Sequence, residues 1–410
     1  MRISTSSIFE AGTRQINTLQ SQLARTQQQL GSNRRLLSAS DDPIASARAL
    51  VVTQSRSINA QFETNRQNAR SSLSQVEVAL SSATSLIQDV QTFVVAAGNG
   101  AYSLSDRETY ATALEGKLDD LIGVANTADG AGGYLFSGFK SGLVPYTKNA
   151  TGASYNGDQG QVKLQVSTSR QVQTNAVGSA VFDDIVTGNG TFVTAAGSAN
   201  LGAGVVSQGV VSDASQITGH KYEIQFGGGG TTYTILDKDT GITVPPPPAP
   251  PAVATPFTYQ SGAPITFKGI TFDVTGVPAG GDTFSVDPAQ KQSLFTTVTK
   301  LIAALRAPAP NTTADKLAYT ASLREAGTNL SAGLDKVLGA RSSIGANLNE
   351  LDYLDSSGTD ADIQYATTLS NLQDLDMVKA ISEFSQQQTA LEAAQKSFKS
   401  ISALSLFNYI

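Results

Sequence analysis

The side chains that could carry chemistry are few and scattered. The chain has one histidine, His220, and no cysteine. Without cysteine there is no thiolate ligand, no disulfide and no thiol nucleophile. One histidine cannot build a histidine-based metal site, and His220, between Gly219 and Lys221, reads as a strand-edge residue. The segment "DKDTG", residues 237–241, starts like an EF-hand loop but lacks the third ligand. Its glycine falls one position early and no glutamate closes the loop, so a hairpin turn is expected. Asp360 and Asp362 in "GTDADIQYA" lack the spacing of a carboxylate pair and read as acids at a helix N-terminus. "GGGG", residues 227–230, is followed by no lysine, so it reads as a flexible hairpin tip and not as a phosphate loop. "NAT", "NGT" and "NTT" match the glycosylation acceptor pattern by chance, because no Sec-type signal precedes them. The expectation is a protein with no catalytic residue, no cofactor and no metal, and therefore not an enzyme.

The elements around these residues suggest another kind of function. The chain has 410 residues, is 40 % hydrophobic and only 7 % aromatic, and carries a formal net charge of −6. That charge argues against nucleic-acid binding. No apolar run approaches the ~20 residues of a membrane span. Proline marks the layout: Pro43 and Pro145 are the only two before residue 245, and the other twelve lie between Pro245 and Pro310. Both ends are thus free to form long helices, and both have the period for it. Phe9, Gly12, Ile16, Leu19, Leu23, Thr26 and Leu30 step by three and four, as do Leu73, Val76, Leu80, Ala83, Ile87, Val90 and Val94. Leu323, Leu330, Val337, Ile344 and Leu351 recur every seven, and so do Phe384, Leu391 and Phe398, with Ala394 and Ile401 between turns. These are coiled-coil seams, although an ordinary helical bundle would give similar heptads.

The middle changes period. "GQVKLQVSTSRQV", "HKYEIQF", "TTYTIL", "ITFKGITFDV" and "DTFSV" alternate, and "YNGDQG", "GGGG", "DKDTG" and "AGGD" supply turns between them. The expected fold is α+β: an elongated coiled-coil rod made from both chain ends, with an inserted antiparallel β domain. The expected boundaries are 1–42 and 43–142 for the N-terminal helices and 143–288 for the insert. Residues 289–360 and 361–410 would form the C-terminal helices. The run 245–251, "PPPPAPP", is expected to be a stiff polyproline spacer. The aromatic group Tyr134, Phe136, Phe139 and Tyr146 is expected to pack where helix meets insert.

One stretch breaks the helical pattern: "LLSASDDPIASARAL", residues 36–50. Asp42 precedes a proline and is pushed toward extended geometry, which suits an N-cap. Pro43 then fits the first helical position, where its missing N–H costs nothing. Ser40, Asp41, Asp42 and Pro43 thus form a helix elbow.

This stretch resembles the N-terminal signature of the bacterial flagellin superfamily. "GGYLFSGFKSGLVPY", residues 132–146, and the end "ISALSLFNYI" are similar to segments of its hook-associated members at the hook–filament junction, and so is "FKGITFDVTGVPAGGDTFSV". The resemblance covers about residues 1–146 and 290–410. It implies a structural, secreted subunit of the flagellum, exported unfolded by the flagellar type III apparatus and assembled into a collar between hook and filament. The implied partners are further copies of the chain in a ring, a hook-associated protein on the hook side, flagellin on the filament side and an export chaperone. Segments 1–42 and 361–410 would line the inner tube. Ile16, Leu19, Leu23, Leu30, Phe384, Leu391, Phe398 and Ile401 would form the assembly seam. The apolar end Leu404, Leu406, Phe407, Tyr409 and Ile410 would be covered first by chaperone and then by neighbours. A flagellin-type filament subunit is the alternative within the superfamily; a secreted adhesin with a β binding module on a stalk is the alternative outside it. Charge supports pairing of the ends independently: residues 1–61 carry seven Arg against three acids, and residues 350–410 nine acids against three Lys.

Overall fold

The computed structural model describes residues 5–98, 103–245, 255–308 and 312–403. All of the polyproline run except Pro245, and the end from Leu404 to Ile410, lie outside the described residues. The helices are α1 (Thr5–Ser32), α2 (Pro43–Ala97), α3 (Leu104–Ala125), α4 (Leu294–Arg306), α5 (Thr313–Gln373) and α6 (Met377–Ala403). The chain divides into two compact units: Met1–Arg66, Val166–Thr168 and Asp352–Ile410 in one, Gln67–Gln165 and Ser169–Leu351 in the other. Helices α2 and α5 contribute to both.

In the first unit α1 and α6 run antiparallel. Phe9 stacks on Phe398 with ring centroids 4.6 Å apart, and farther along the Thr26 hydroxyl donates to Gln387 Oε1 at 2.9 Å. The covered face of α1 is Ile16, Leu19, Leu23, Thr26 and Leu30; that of α6 is Ala380, Phe384, Gln387, Leu391, Ala394 and Phe398. Both step by three and four, the spacing that keeps a seam facing one partner. Gly12 is glycine because a Cβ there would lie 2.8 Å from the Phe398 ring. Most of this seam is only half-buried, as two helices cannot surround it.

In the second unit the seams are dry. Leu73, Val76, Leu80, Ala83, Ile87 and Val90 on α2 are buried, as are Leu323, Leu330, Val337, Ile344 and Leu351 on α5. Arg341 reaches Glu77 Oε1 through Nε at 2.9 Å and Nη2 at 2.7 Å. Helix α3 begins with a reciprocal capping box between Ser103 and Asp106 and buries Leu114, Leu118 and Leu121. It packs on α4, whose Arg306 forks onto Glu108 and Glu115. Asp360 and Asp362 were expected at a helix start. They sit instead inside α5, which runs unbroken to Gln373 because nothing near Gly358 interrupts its hydrogen bonding.

The strands are short, and those of the main β core pair antiparallel. They are β1 (Tyr146–Asn149), β2 (Gly152–Tyr155), β3 (Lys163–Ser167), β4 (Arg170–Gln173), β5 (Ile185–Val186), β6 (Phe192–Ala196), β7 (Val205–Val206), β8 (Val210–Val211), β9 (Tyr222–Gly227), β10 (Thr232–Asp237), β11 (Ile242–Thr243), β12 (Phe257–Thr258), β13 (Pro264–Phe267), β14 (Ile270–Thr275), β15 (Thr283–Pro288) and β16 (Lys291–Gln292). Two sheets make the main β core, one ordered β11-β10-β9-β15-β6 with β12 beside β10, the other β13-β14-β7 with β8 beside β14. Alternate residues of both, among them Tyr222, Ile224, Phe226, Phe284, Phe267, Phe272 and Val274, form one hydrophobic cluster. "GGGG" does form the tip between β9 and β10, but Gly230 is fixed, not free. It is buried at φ +88°, and a Cβ there would collide with the Pro278 carbonyl.

Leu330 is fully buried on the α5 seam, whereas Leu338 lies on its exposed side. Leu330→Ala is expected to lower stability by about 2–5 kcal/mol and Leu338→Ala by less than about 0.5 kcal/mol, read by urea denaturation of the whole chain.

Candidate functional site

The residues singled out at the chain ends meet at one level of the first unit. Helix α1 stops at Ser32, and Asn33 turns out of it with φ +54°. The connector is therefore 33–42. Within it the Asp41 carboxylate accepts the N–H groups of Leu37 and Ser38 at 2.9 and 3.0 Å and pairs with Arg25 at 2.9 Å. Ser40 and Ser38 share a hydroxyl hydrogen bond of 2.7 Å. Asp42 Oδ1 accepts the Ala45 N–H at 2.9 Å, and Pro43 is the first residue of α2. The Ser38 and Leu37 N–H groups hold Asp41 below the usual carboxylate range, and the Ala45 N–H does the same for Asp42.

The opposite tract breaks at the same level, a feature that sequence reasoning missed. Between α5 and α6, Asp376 Oδ1 accepts the Lys379 N–H at 3.1 Å and so caps α6. The two connectors are tied together: Arg35 N–H donates to the Gln373 carbonyl at 2.8 Å, Arg35 Nη2 to Leu372 at 2.7 Å, and Leu375 N–H to Asn33 at 3.3 Å. The signal was available in "DLDMV", where an acid sits three residues ahead of Lys379.

Beyond the elbow, charge aligns α2 with α5. Arg56 forks onto Asp362 at 2.8 and 3.1 Å, and Asn59 Nδ2 donates to the Gly358 carbonyl at 2.8 Å. Arg66 is buried, pairs with Asp355 and donates to the Val166 carbonyl at 3.1 Å. Gly358 makes room for it: a Cβ there would lie 2.5 Å from Arg66 Nη2. The opposite net charges of the two ends thus resolve into specific pairs that set register.

Of the seam residues, Ile16, Leu19, Leu23, Leu30, Phe384, Leu391 and Phe398 share the α1–α6 face, while Ile401 is exposed. Leu404, Leu406, Phe407, Tyr409 and Ile410 lie outside the described residues. The aromatic group divides. Phe136 and Tyr146 are buried with Phe182, and Tyr146 also packs on Phe295, its ring 4.8 Å away, while Phe139 is exposed. His220 has a partner that the sequence did not reveal: its Nδ1 lies 2.8 Å from Asp237 Oδ2, with Asp239 close by. The other Asp237 oxygen accepts the N–H groups of Asp239 and Thr240, and Asp239 accepts that of Lys221. Local turn bonds thus occupy these carboxylates. No helix among the described residues is long and apolar enough to cross a membrane.

The depressed carboxyls make the elbow acid-sensitive. A group whose folded pKa lies below its unfolded value stabilises the fold above the unfolded value, and that gain is lost as pH falls through the folded one. Asp42→Asn is therefore expected to melt below wild type at pH 7 and to converge with it at the acid end, below the usual carboxylate range. Equal melting at pH 7 would show that the Asp42 charge contributes nothing.

Residues 3–141 match the bacterial flagellin N-terminal helical region. The chain is 28 % identical over 407 residues to flagellar hook-associated protein 3 of Escherichia coli strain K12, spanning 99 % of both chains, and the same figures hold for the Salmonella typhimurium strain LT2 protein. Among solved structures it resembles the flagellar junction protein FlgL from Legionella pneumophila, at 31 % identity and TM-score 0.70 over 80 % of this chain and all of that one. It also resembles FlgL from Xanthomonas campestris, at 29 % identity and TM-score 0.68 over 78 % and 99 %. With a match at both helical ends and through the insert, the chain belongs to the flagellin-related family of flagellar hook-associated protein 3.

Proposed function

We propose that this chain is the structural subunit of a collar joining the flagellar hook to its filament. The observation that carries this is the near end-to-end match to hook-associated protein 3, which includes the two terminal helices and their seam. A half-buried seam is what a subunit built for assembly needs: it holds the ends together in one copy and leaves apolar surface for neighbours. Its partners would be further copies in a ring, a hook-associated protein below and flagellin above. The absence of cysteine suits a chain threaded unfolded through an export channel. The relatives are structural proteins, which favours scaffolding over catalysis. Cells lacking the gene are expected to carry hooks without filaments and to shed filament protein into the medium, as seen by electron microscopy and by analysis of the supernatant. Normal filaments on those cells would overturn the proposal.

Before export, the C-terminal seam requires a cover, and a chaperone groove taking it as a helix would supply one. Phe398→Ala combined with Ile401→Ala is expected to weaken chaperone binding by several kcal/mol, the scale of losing two apolar anchors. Calorimetry with the purified chaperone checks this, and unchanged affinity would place recognition elsewhere on the chain.

A further inference from the structure

Helix α2 carries a second seam in the first unit, one residue out of phase with the first. Ala45, Ala49, Val52 and Asn59 face α5 or are covered, and Arg56 reaches across to Asp362. Ile44, Arg48, Val51 and Ile58 step by four, three and seven along the adjoining flank. That flank is open: Ile44 is 68 % exposed, Val51 66 % and Ile58 38 %. A helix with two seams in neighbouring phases is patterned for two partner helices, and α5 supplies only one. Helix α5 likewise has an outer stripe: Tyr353, Ser356, Asp360, Ile363 and Thr367 step by three and four, and all five are exposed. The charges on the two stripes complement each other. Arg48 lies within the first and Asp360 within the second, and neither makes an ion pair among the described residues, although Arg56 and Arg66 on the same helix are both paired.

We infer that the Ile44–Ile58 stripe on α2 receives the Tyr353–Thr367 stripe on α5 of a second copy of this chain, with Arg48 set against Asp360. The contact is heterologous, because each copy offers two different surfaces, so repetition generates a ring or helical array and not a closed pair. Apolar residues at one seam supply the burial; the single charge pair at heptad positions selects the partner and its register. This inference rests on the reading of the chain as a self-assembling junction subunit.

The test is the amount of subunit held on hooks, with or without filaments, isolated from cells whose only copy of the gene is the variant. Val51→Glu is expected to melt within about 2 °C of wild type, because the residue touches little in the free chain, yet to incorporate at least about tenfold less. Arg48→Glu and Asp360→Arg should each lower incorporation, and the double variant should restore it to within about twofold, because every interface then has the pair in reversed sense. Wild-type incorporation of Val51→Glu, or early melting of the free variant, overturns the stripe. Defective single variants with an equally defective double variant overturn the second copy as occupant and point to a different flagellar protein on the stripe. Wild-type subunit missing from isolated hook–filament structures would overturn the functional reading itself, whatever the variants do.

Discussion

The structure depends on one constraint: the first and last helices of a 410-residue chain run side by side in opposite directions. A seam of half-buried residues on α1 and α6 holds them, from the Phe9–Phe398 stack to the Thr26–Gln387 hydrogen bond. Neither helix could persist alone. An isolated helix in water is marginal, and its stability comes from covering an apolar face. Each end therefore serves as the other's core. Everything between them must begin and finish at the same place, which is the geometric reason why the β-rich segment is an insertion and not a terminal domain.

The elbow shows how this constraint propagates. When one tract of an antiparallel pair breaks, its partner either breaks at the same level or loses its register. Here both break. Asp42 caps α2 and Asp376 caps α6, and backbone bonds from Asn33 and Arg35 to Gln373 and Leu375 join the two connectors. The arginines of α2 then find acids on α5. Exposed pairs such as Arg56–Asp362 add little stability. Their effect is on alignment, because an antiparallel seam of small residues such as Ala45 and Ala49 would tolerate slippage without them.

Much of this was legible in the sequence. Heptads located the buried positions on α2 and α5 because burial there is decided by period alone. The alternating stretches became β3, β4, β9, β10 and β13 to β15 for the same reason. The elbow could be read because proline and aspartate have narrow backbone preferences. What could not be read depended on distant partners. Nothing near His220 in sequence announces Asp237 across the β9–β10 hairpin. Asp360 and Asp362 looked like helix-start acids, because acids in mid-helix carry the same local signature, and the pairing of Asp362 with Arg56 is set by a distant residue. The break at Asp376 was visible but has no proline to mark it. Gly358 and Gly12 sit inside helices, and only the packed Arg66 and Phe398 explain them.

The central claim is that both ends of one chain pair antiparallel in this register. Introduced thiols test it cleanly, because the chain has no cysteine of its own. Thr26→Cys with Gln387→Cys should be joined within a single chain by a short thiol cross-linker. The displaced pair Thr26→Cys with Ser400→Cys, about 20 Å apart along the helix, should not be. Mass spectrometry of the monomer reads the outcome. An intrachain link at the first pair alone is the predicted result; links only between chains, or equal yields at both pairs, would contradict the account.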